Sequence, residues 1–435
     1  MRIKDIIKNT PNISIDSRTI KRGQVFIAVK GDKFDGHNFV ARALQRGASA
    51  AIISRNVNTR PKDRPRLIRV KDTVKTLGEV ARAHRLKFKI PVVAVTGSNG
   101  KTTTKDLLAH VLSVRYRVLK SEASFNNHIG LPLTLLKIRD RHEVVVLEMG
   151  MNHRGEIGRL SRMAVPDIGV ITNIGPVHLK FLKTLKNVFN AKTELLKELK
   201  PGGTAVLNKD DIFLRNIKNP GCKKTYFGIY EKCTYRAKCL EEKRSSWSFT
   251  IAGNRRIHLS ILGRHNIYNA LAVIAAAKVL NIGLDAIKRR IESFRMRCPK
   301  RLDFKIVNGR RILDDTYNSN PASFQCAVDL LERFEVPGKK IVVMGDMLEL
   351  GAKSRSLHLA AGEEIAGKNF GALITVGAFS RFVAAAARKS NMDFVRHASS
   401  HRNAAKILKS ISKKGDLVLV KGSRGMRMEK IINAL

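Results

Sequence analysis

The sequence predicts an α/β protein of three domains, with a mainly parallel sheet at the centre of the middle domain. Two observations predict this fold class. At 435 residues the chain is too long for a single hydrophobic core. Apolar, β-branched runs also alternate with helical patterns, which is typical of parallel strands joined by helices. A content of 43% hydrophobic and 6% aromatic residues is that of a globular protein rather than a disordered chain.

The first domain is predicted to be a small α/β unit that spans residues 1–84. Apolar runs at 24–29 and 50–53 predict strands, and a glycine-containing turn lies between them at 31–37. A helix precedes the second strand. Its predicted apolar face consists of Phe39, Ala43 and Leu44.

The middle domain is predicted to span residues 85–296 and the last domain 297–435, with a change in pattern near 297–300 that marks the join. Both domains alternate strands with helices, and the run 270–277 predicts a buried helix. In chain order, the predicted strands are 92–96, 144–148, 168–173 and 204–208 in the middle domain, and 311–314, 340–344, 372–376 and 417–421 in the last.

The charge of the chain is extreme, because 82 Lys and Arg residues against 36 Asp and Glu residues give a formal net charge of +46. One interpretation is a protein that binds nucleic acid or an anionic surface. The other is a general bias toward Lys and Arg on solvated faces. The basic residues are spread along the whole chain and no nucleic-acid-binding motif is visible, so we favour the second interpretation and expect no specific nucleic-acid partner.

The lack of targeting signals and the pattern of cysteines point to the cytoplasm. The N-terminus lacks the apolar stretch of a secretory signal, and no apolar run approaches the length that spans a membrane. The five cysteines are odd in number and have no metal-ligand spacing. We therefore expect free thiols in a reducing compartment and no membrane insertion. A monomeric protein is a separate expectation that these observations do not address.

The most informative motif is residues 96–103, with the sequence Thr-Gly-Ser-Asn-Gly-Lys-Thr-Thr. It lies between the predicted strand 92–96 and a helical pattern, so its glycines can close backbone N–H groups around phosphate oxygens at a helix N-terminus. Lys101 can neutralise the phosphates, and the hydroxyl of Thr102 can coordinate Mg²⁺. Its two glycines enclose two residues instead of the usual four. The placement nevertheless predicts a nucleotide phosphate site.

Polar residues follow two further strands of the middle domain. Glu148 ends the run 144–148, and His178 follows the strand 168–173 through a turn that contains proline. Ligands of open α/β sheets bind beyond the carboxyl ends of the strands, so the carboxylate is placed to bind Mg²⁺ and the imidazole to hold a second metal. Taken alone, each is as readily an exposed or structural side chain. On the same grounds Lys192 is a solvated helix residue.

A second polar cluster begins the last domain. Arg301 follows the join, and the predicted strand 311–314 runs into a loop at 314–321 that holds two acids, two asparagines and a tyrosine before a proline. Turn and N-cap chemistry accounts for part of this composition. The hydrogen-bonding groups are more concentrated than a turn needs, which indicates a second half of the site.

Together these motifs resemble the Mur ligases, the ATP-dependent enzymes of bacterial peptidoglycan synthesis. The loop 96–103 is similar to the family's TG(S/T)(N/D)GKT(T/S) loop. Other stretches are similar to the members of the family that add D-alanyl-D-alanine, and the resemblance covers the whole chain in order. These stretches are 16–18, 31–37, 125–134, 147–152, 314–321, 343–351 and 421–424.

The resemblance implies a UDP-binding N-terminal domain, a central mononucleotide-binding ATPase domain of P-loop type and a Rossmann-like C-terminal domain that completes the ATP and D-Ala-D-Ala sites. It implies that Thr102 and Glu148 bind one Mg²⁺, and that His178 binds a second with Lys192, which is carbamylated in the family. The implied catalytic residues are Lys101, Glu148, His178, Lys192 and Arg301. The implied ATP-binding residues are Gly97, Ser98, Asn99, Gly100, Lys101, Thr102 and Thr103 at the phosphates, Asn266 and Asn269 at the adenine, and Arg301 and Asp315 at phosphate and ribose.

For the other substrates the resemblance implies residues in all three domains. Ser17 and Arg18 are implied near the uridine diphosphate, and Asn126 and Asn127 near the muramoyl peptide. The residues implied for the D-Ala-D-Ala dipeptide are Tyr317, Asn318 and Asn320. The implied reaction activates the carboxylate of UDP-N-acetylmuramoyl-tripeptide as an acyl phosphate, which the amine of the dipeptide then attacks. The product is the pentapeptide precursor of peptidoglycan.

Two alternatives stay open at the level of sequence. One is another ligase of the same type, such as the enzyme that adds the third stem residue, although its Asp-Asn-Pro-Arg motif is absent from this sequence, or folylpolyglutamate synthase. The other is a non-catalytic, polyanion-binding protein on the ligase fold, which the charge of +46 suggests. The intact set of site residues argues against the second.

Overall fold

The structure is a computed structural model that describes most of the chain in seven ranges. These are residues 5–6, 12–31, 34–122, 125–218, 221–243, 246–295 and 300–435. The predicted boundary at 296/297, most of the predicted join at 297–300, and part of the turn at 31–37 therefore lie outside the described residues. Among the helices that the structure describes, none is long and apolar enough to cross a membrane.

The N-terminal part forms a four-stranded parallel sheet in the order β1-β2-β3-β4. Its elements are β1 (Ile13–Ser14), β2 (Val25–Ile27), α1 (Val40–Gln45), β3 (Ala50–Ile53), β4 (Leu67–Arg69) and α2 (Thr73–Leu86). One detail of the prediction was wrong. Ala43 and Leu44 are buried, but Phe39 ends a 3₁₀ turn before α1 and is 36% exposed, because that turn has a different pitch from the helix and sets Phe39 out of phase.

The central part is a seven-stranded sheet in the order β11-β10-β9-β8-β5-β7-β6, and every pairing in it is parallel. The predicted mainly parallel sheet is therefore confirmed. Its strands are β5 (Val92–Thr96), β6 (Val118–Lys120), β7 (Val144–Glu148), β8 (Ile168–Ile171), β9 (Thr204–Asn208), β10 (Lys223–Gly228) and β11 (Tyr235–Arg236).

Helices cover both faces of this sheet, because alternate side chains of the central strand belong to two different cores. Val93 and Val95 pack in one core with α3 and α8, whereas Val92 and Ala94 pack in the other with α5 and α7. The helices of this part are α3 (Lys101–Leu112), α4 (Gly130–Leu135), α5 (Glu156–Ala164), α6 (Leu179–Leu182), α7 (Leu185–Lys197), α8 (His265–Val279) and α9 (Leu284–Ser293). The buried helix predicted at 270–277 lies within α8.

A small antiparallel sheet follows β11 and was not predicted. It consists of β12 (Lys238–Lys243), β13 (Ser246–Ile251) and β14 (Arg255–Leu259) in that order. Trp247 and Phe249 of its middle strand are buried in the same core as α8. The sheet therefore extends the core in which α8 is buried.

The C-terminal part is a six-stranded sheet in the order β15-β16-β20-β17-β18-β19, in which only the edge strand β15 is antiparallel. Its strands are β15 (Asp303–Val307), β16 (Arg310–Asp315), β17 (Lys340–Gly345), β18 (Ala372–Val376), β19 (Val395–Ala398) and β20 (Leu417–Lys421). Its helices are α10 (Pro321–Arg333), α11 (Ser354–Ala366), α12 (Ser380–Lys389), α13 (His401–Ile411) and α14 (Glu429–Ile432).

Candidate active site

The strand before the phosphate loop lies inside the seven-stranded sheet, between two strands that also lead to predicted site residues. β5 pairs with β7 on one side and with β8 on the other. In this register Val95 is opposite Glu148 and Thr96 is opposite Ile171, so the three strands end at one edge. The chain order reverses direction at β5, which is the position where open α/β sheets bind ligands.

Two glycines give the phosphate loop a backbone that other residues adopt only with strain. Gly97 has a φ of +147° and Gly100 a φ of +81°. A Cβ atom on Gly97 would lie 1.9 Å from Oγ1 of Thr172, and one on Gly100 would lie 2.2 Å from Oδ1 of Asn269. Gly100 is also the N-cap of α3. The loop therefore leads directly into a helix N-terminus, whose N–H groups favour an anion.

Gly100→Ala is expected to lower the free energy of unfolding more than its matched control Gly155→Ala. Gly155 is also a helix N-cap, with a φ of +83°, but nothing lies within 4 Å of its added Cβ. The control therefore measures backbone strain alone, about 1–2 kcal/mol, whereas the clash at Gly100 adds about 1–3 kcal/mol. Urea denaturation of both variants provides the comparison, and equal losses would contradict the close packing of the loop.

One cleft of about 860 Å³ between the central and C-terminal parts brings together nearly all the predicted site residues of those parts. Of the predicted phosphate-loop residues, Gly97 does not line the cleft. The predicted residues on its walls are Ser98, Asn99, Gly100, Lys101, Thr102, Thr103, Asn126, Asn127, Glu148, His178, Lys192, Asn266, Asn269, Arg301, Asp315, Tyr317, Asn318 and Asn320.

Two lysines lie against the backbone of the phosphate loop. Nζ of Lys101 donates to the carbonyl oxygens of Gly97 at 2.9 Å and Ser98 at 3.3 Å. Nζ of Lys192 donates to the same Gly97 oxygen at 2.9 Å, and the residue is only 2% exposed. Burial lowers the pKa of Lys101, although the carboxylate of Glu148 opposes this shift. Burial and the charge of Lys101 lower the pKa of Lys192 well below its ordinary value. The prediction from residue pattern alone, a solvated helix residue, was wrong.

Glu148 presents a buried carboxylate oxygen to the cleft. Its Oε1 accepts a hydrogen bond from Nδ2 of Asn126 at 2.8 Å, whereas Oε2 is buried and has no hydrogen-bond partner among the described residues. Leaving such an oxygen unpaired costs free energy, so a cation bound there would be stabilising. Carboxylate and hydroxyl oxygens are ligands that Mg²⁺ prefers, and Thr102 lines the same cleft. Glu148 and Thr102 therefore fit the implied Mg²⁺.

A metal at this position would depend on ligands from outside the chain. Within the described ranges, no three His, Cys, Asp or Glu side chains are grouped as a metal site. Phosphate oxygens of a bound nucleotide are the natural further ligands, because Mg²⁺ is commonly held by one or two carboxylates together with substrate phosphates.

His178 is held by a carboxylate from the C-terminal part. The residue has a left-handed backbone, with a φ of +55°, and its Nδ1 lies 2.6 Å from Oε2 of Glu349. This hydrogen bond lowers the pKa of Glu349. Both residues line the cleft. With Nδ1 bonded to a carboxylate, the other ring nitrogen of His178 is available as a ligand.

The predicted adenine side is a chain of buried amides at the start of α8. Nδ2 of Asn269 donates to Oδ1 of Asn266 at 2.7 Å, and the hydroxyl of Thr104 donates to Oδ1 of Asn269 at 3.2 Å. His265 lines the same wall, and burial lowers its pKa to about 4. Its ring is therefore neutral near pH 7, so this wall offers neutral hydrogen-bonding groups rather than charge.

Arg301 reaches from the C-terminal part to the phosphate loop. Its Nη2 donates to Oγ1 of Thr102 at 3.0 Å, and its guanidinium carbon lies 3.8 Å from the centre of the Tyr317 ring. Asp315 forms an ion pair with the buried Lys421, whose Nζ also donates to the carbonyl of Asn318 at 3.1 Å. The loop at 314–321 is thus fixed against its own sheet, while Arg301 contacts the other side of the cleft.

Two predicted substrate residues use part of their side chains to accept hydrogen bonds from backbone N–H groups near the starts of helices. Oδ1 of Asn320 accepts from the backbone N–H of Ser323 at 3.0 Å, and its Nδ2 donates across the cleft to Oδ1 of Asn99 at 2.7 Å. Oδ1 of Asn127 accepts from the N–H of Gly130 at 2.9 Å. Both residues line the cleft, but their contact with substrates stays a prediction.

Comparison with known proteins decides the family. Models of that family match three consecutive parts of the chain, described as the Mur ligase family catalytic domain at residues 10–85, the Mur ligase middle domain at 95–277 and the Mur ligase glutamate ligase domain at 300–424. The chain is 37% identical to the UDP-N-acetylmuramoyl-tripeptide–D-alanyl-D-alanine ligase of Bacillus subtilis (strain 168) over 425 residues, which cover 97% of this chain and 92% of that protein. The chain belongs to the Mur ligase family.

Other members have the same fold along nearly the whole length of this Mur ligase. The crystal structure of MurF from Acinetobacter baumannii is similar with a TM-score of 0.88 and 31% identity, over 97% of this chain and 92% of that one. The MurF ligase of Thermotoga maritima, in complex with ADP, is similar with a TM-score of 0.86 and 31% identity, over 99% and 97%. The predicted three-domain α/β fold is confirmed, whereas the exact domain limits stay predictions.

Ser17 and Arg18 lie in the N-terminal part of this Mur ligase and do not line the cleft. Nη2 of Arg18 pairs with Oδ2 of Asp16 at 2.8 Å, and this contact lowers the pKa of Asp16 to about 2. The guanidinium of Arg46 donates to the backbone carbonyls of both predicted residues. The structure thus places them in a separate basic cluster, and their assignment to the uridine diphosphate stays a prediction.

Several residues of the cleft were not assigned from the sequence, and three of them take part in the contacts or charge states described above. These three, His265, Glu349 and Lys421, each line the cleft. The last two fall within stretches that resemble the family, 343–351 and 421–424, so a signal for them existed. Their roles are visible only when the fold brings them to His178 and Asp315.

Proposed function

We propose that this Mur ligase joins D-alanyl-D-alanine to UDP-N-acetylmuramoyl-tripeptide at the expense of ATP. One observation carries the proposal. A single cleft combines the phosphate loop of the central domain, the unpaired carboxylate oxygen of Glu148 and the guanidinium of Arg301 from the C-terminal domain. Relatives that match almost the whole chain and carry this activity in their names support it.

The first step of the proposed reaction brings two anions together. An oxygen of the tripeptide carboxylate attacks the γ-phosphorus of ATP, the bond from that phosphorus to the bridging oxygen breaks, and ADP leaves. Lys101 and Arg301 are placed to stabilise the negative charge of the transferring group, because both lie at the phosphate loop. The hydrogen bonds of Lys101 to loop carbonyls hold its ammonium on this loop.

In the second step the amine of D-alanyl-D-alanine attacks the carbonyl carbon of the acyl phosphate. The C–O bond to phosphate breaks, and the attacking nitrogen loses a proton, so the products are an amide and inorganic phosphate. The intermediate must be kept from water, which would hydrolyse it. Contacts across the cleft, from Asn99 to Asn320 and from Thr102 to Arg301, bring the two domains together around this space.

We propose that two Mg²⁺ ions bind with the nucleotide, one at Thr102 and Glu148 and one at His178 and Lys192. Such ions supply charge neutralisation for the phosphates. The unpaired Oε2 of Glu148 supports the first site. The lowered pKa of Lys192 supports the second, because a neutral amine can react with carbon dioxide to form the carbamate, and an ammonium cannot.

We also propose a cytoplasmic location, where ATP is supplied. The four cysteines that the structure describes, Cys222, Cys233, Cys239 and Cys326, are free, as a reducing compartment requires. The monomeric state stays a prediction.

The purified chain is expected to release phosphate from ATP only when both UDP-N-acetylmuramoyl-tripeptide and D-alanyl-D-alanine are present. Replacing the dipeptide by a single diamino acid, and the tripeptide substrate by the dipeptide precursor, tests for the ligase that adds the third residue. Turnover with that pair instead would contradict the proposal. Absence of turnover together with salt-sensitive binding of RNA would favour the non-catalytic, polyanion-binding alternative.

A further inference from the structure

The central and C-terminal domains are in contact at the predicted second metal site. We call this contact the 178–349 clasp, and it consists of His178 and Lys180 on one side and Glu349 and Gly351 on the other. Nδ1 of His178 lies 2.6 Å from Oε2 of Glu349, and the N–H of Lys180 donates to the carbonyl of Glu349 at 2.8 Å. Side chain and backbone of one glutamate therefore hold two positions of the opposite domain.

The backbone of the clasp is held in an unusual conformation on both sides. His178 has a φ of +55° and Glu349 a φ of +65°, which is uncommon for residues other than glycine. Gly351 has a φ of +62°, and a Cβ atom there would lie 3.1 Å from Cα of Lys180. Left-handed residues of this kind persist where the surroundings determine them, and they are frequent at functional sites. The close approach at Gly351 shows that the two segments are packed together tightly.

The hydrogen bond also determines which nitrogen of His178 can bind a metal. A carboxylate accepts hydrogen bonds, so with Glu349 at Nδ1 the proton of the neutral ring lies on Nδ1 and the lone pair on Nε2. Metal-binding histidines commonly have their second nitrogen fixed by a carboxylate in this way. Here the carboxylate comes from the other domain, so this hydrogen bond orients the ring only while the two domains are in contact.

We propose that Glu349 is a positioning residue that orients His178 for the second metal ion when the C-terminal domain closes on the central domain. This proposal rests on the proposed function, because it takes the metal at His178 from it. It explains why His178 and Glu349 of the clasp line the cleft: domain closure and assembly of the metal site are one event. Opening of the domains would remove the carboxylate and free the ring to rotate.

The proposal is tested with Glu349→Ala and Glu349→Gln, and with Glu363→Gln as the matched control. Glu363 is exposed on α11 of the same domain and does not line the cleft, so the control loses the same charge elsewhere. Mn²⁺ is used as the probe, and its affinity for the protein with ADP and phosphate is measured by electron paramagnetic resonance. The tautomer of His178 is read from ¹⁵N chemical shifts of the ring, assigned with His178→Gln.

Glu349→Ala is expected to weaken the second Mn²⁺ by about 10- to 100-fold, as loss of an outer carboxylate does at other metal sites. The Nδ1–H tautomer should give way to a mixture. Glu349→Gln, whose amide oxygen can still accept from Nδ1, should retain much of both properties, and the control should match the wild type. Unchanged Mn²⁺ affinity and an unchanged tautomer in Glu349→Ala would overturn the proposal, even if turnover fell.

The two proposals can fail separately. If the wild-type chain does not turn over the peptide substrates, the proposed function fails, whereas Mn²⁺ affinity and the histidine tautomer still report on the clasp. If turnover is normal in Glu349→Ala and kcat keeps its dependence on Mg²⁺, the positioning role fails and the proposed function stands.

Discussion

Lys101→Ala is expected to lower turnover by about 10³-fold or more while the protein remains folded. The ammonium of Lys101 is fixed by two loop carbonyls at the position where the phosphates are expected. Removing it leaves the charge of the transferring group without one of the protein cations at the phosphate loop. The effect should fall mainly on kcat, because this charge develops on the transferring group in the transition state.

The stability of Lys101→Ala should change little or increase. Burial already lowers the pKa of Lys101, which means that its charged form is disfavoured in the folded protein. Phosphate release is measured beside thermal unfolding, with Lys120→Ala as a control, since Lys120 is a partly exposed lysine that pairs with Asp106 and does not line the cleft. A variant that retains activity would remove the assignment of the phosphate loop.

The strands that position the site could be predicted because they are buried on both faces. The runs at 92–96 and 144–148 are continuous and apolar, and the structure has β5 and β7 with these same limits. Once these strands are predicted, their carboxyl ends are predicted too. The phosphate loop and Glu148 are located at those ends. Local sequence was sufficient here because burial leaves a direct signature in residue type.

The small antiparallel sheet could not be predicted in the same way. Its first strand, β12, has the sequence Lys-Cys-Leu-Glu-Glu-Lys and is exposed along most of its length, so no apolar alternation marks it. In the next strand Trp247, Phe249 and Ile251 reach the core. A strand that lies at the edge of a sheet and faces solvent leaves little trace in hydrophobic pattern.

The site residues that sequence reasoning missed depend on contacts between distant segments. Glu349 lies 171 positions from His178, and Lys421 lies 106 positions from Asp315. Lys192 shows the same limit. It follows the buried Ala191 on α7, at the border of the apolar face, and residue pattern cannot tell whether such a lysine turns to solvent or to the carbonyl of Gly97.

Lys192→Met is expected to abolish most of the activity, by about 10²-fold or more, and to stabilise the protein. The activity falls because methionine supplies no amine for the proposed carbamate and no ligand for the proposed metal. The stability rises because the wild-type chain buries an amine whose pKa is lowered well below its ordinary value. Each unit of that lowering corresponds to about 1.4 kcal/mol of free energy against the charged form.

The sign of the pH dependence follows from the direction of this shift. Below the folded pKa of Lys192 both states are charged, and the folded state carries the full penalty of the buried charge. Between that pKa and about 10.4 the unfolded chain binds the extra proton, so the unfolding free energy of the wild type rises with pH. The difference in unfolding free energy between Lys192→Met and the wild type should therefore be largest at low pH and shrink as the pH approaches 10.

Urea denaturation of Lys192→Met and wild type in carbonate-free buffer at pH 6 and pH 9 measures this difference. Lys197→Ala, which removes an exposed lysine of the same helix, serves as the control and should show neither the loss of activity nor the pH dependence. A variant less stable than the wild type at pH 6 would show that the hydrogen bond to Gly97 outweighs the cost of burying the charge. Replacing a residue that serves catalysis but destabilises the fold should lower activity and raise stability, as expected here for Lys192→Met.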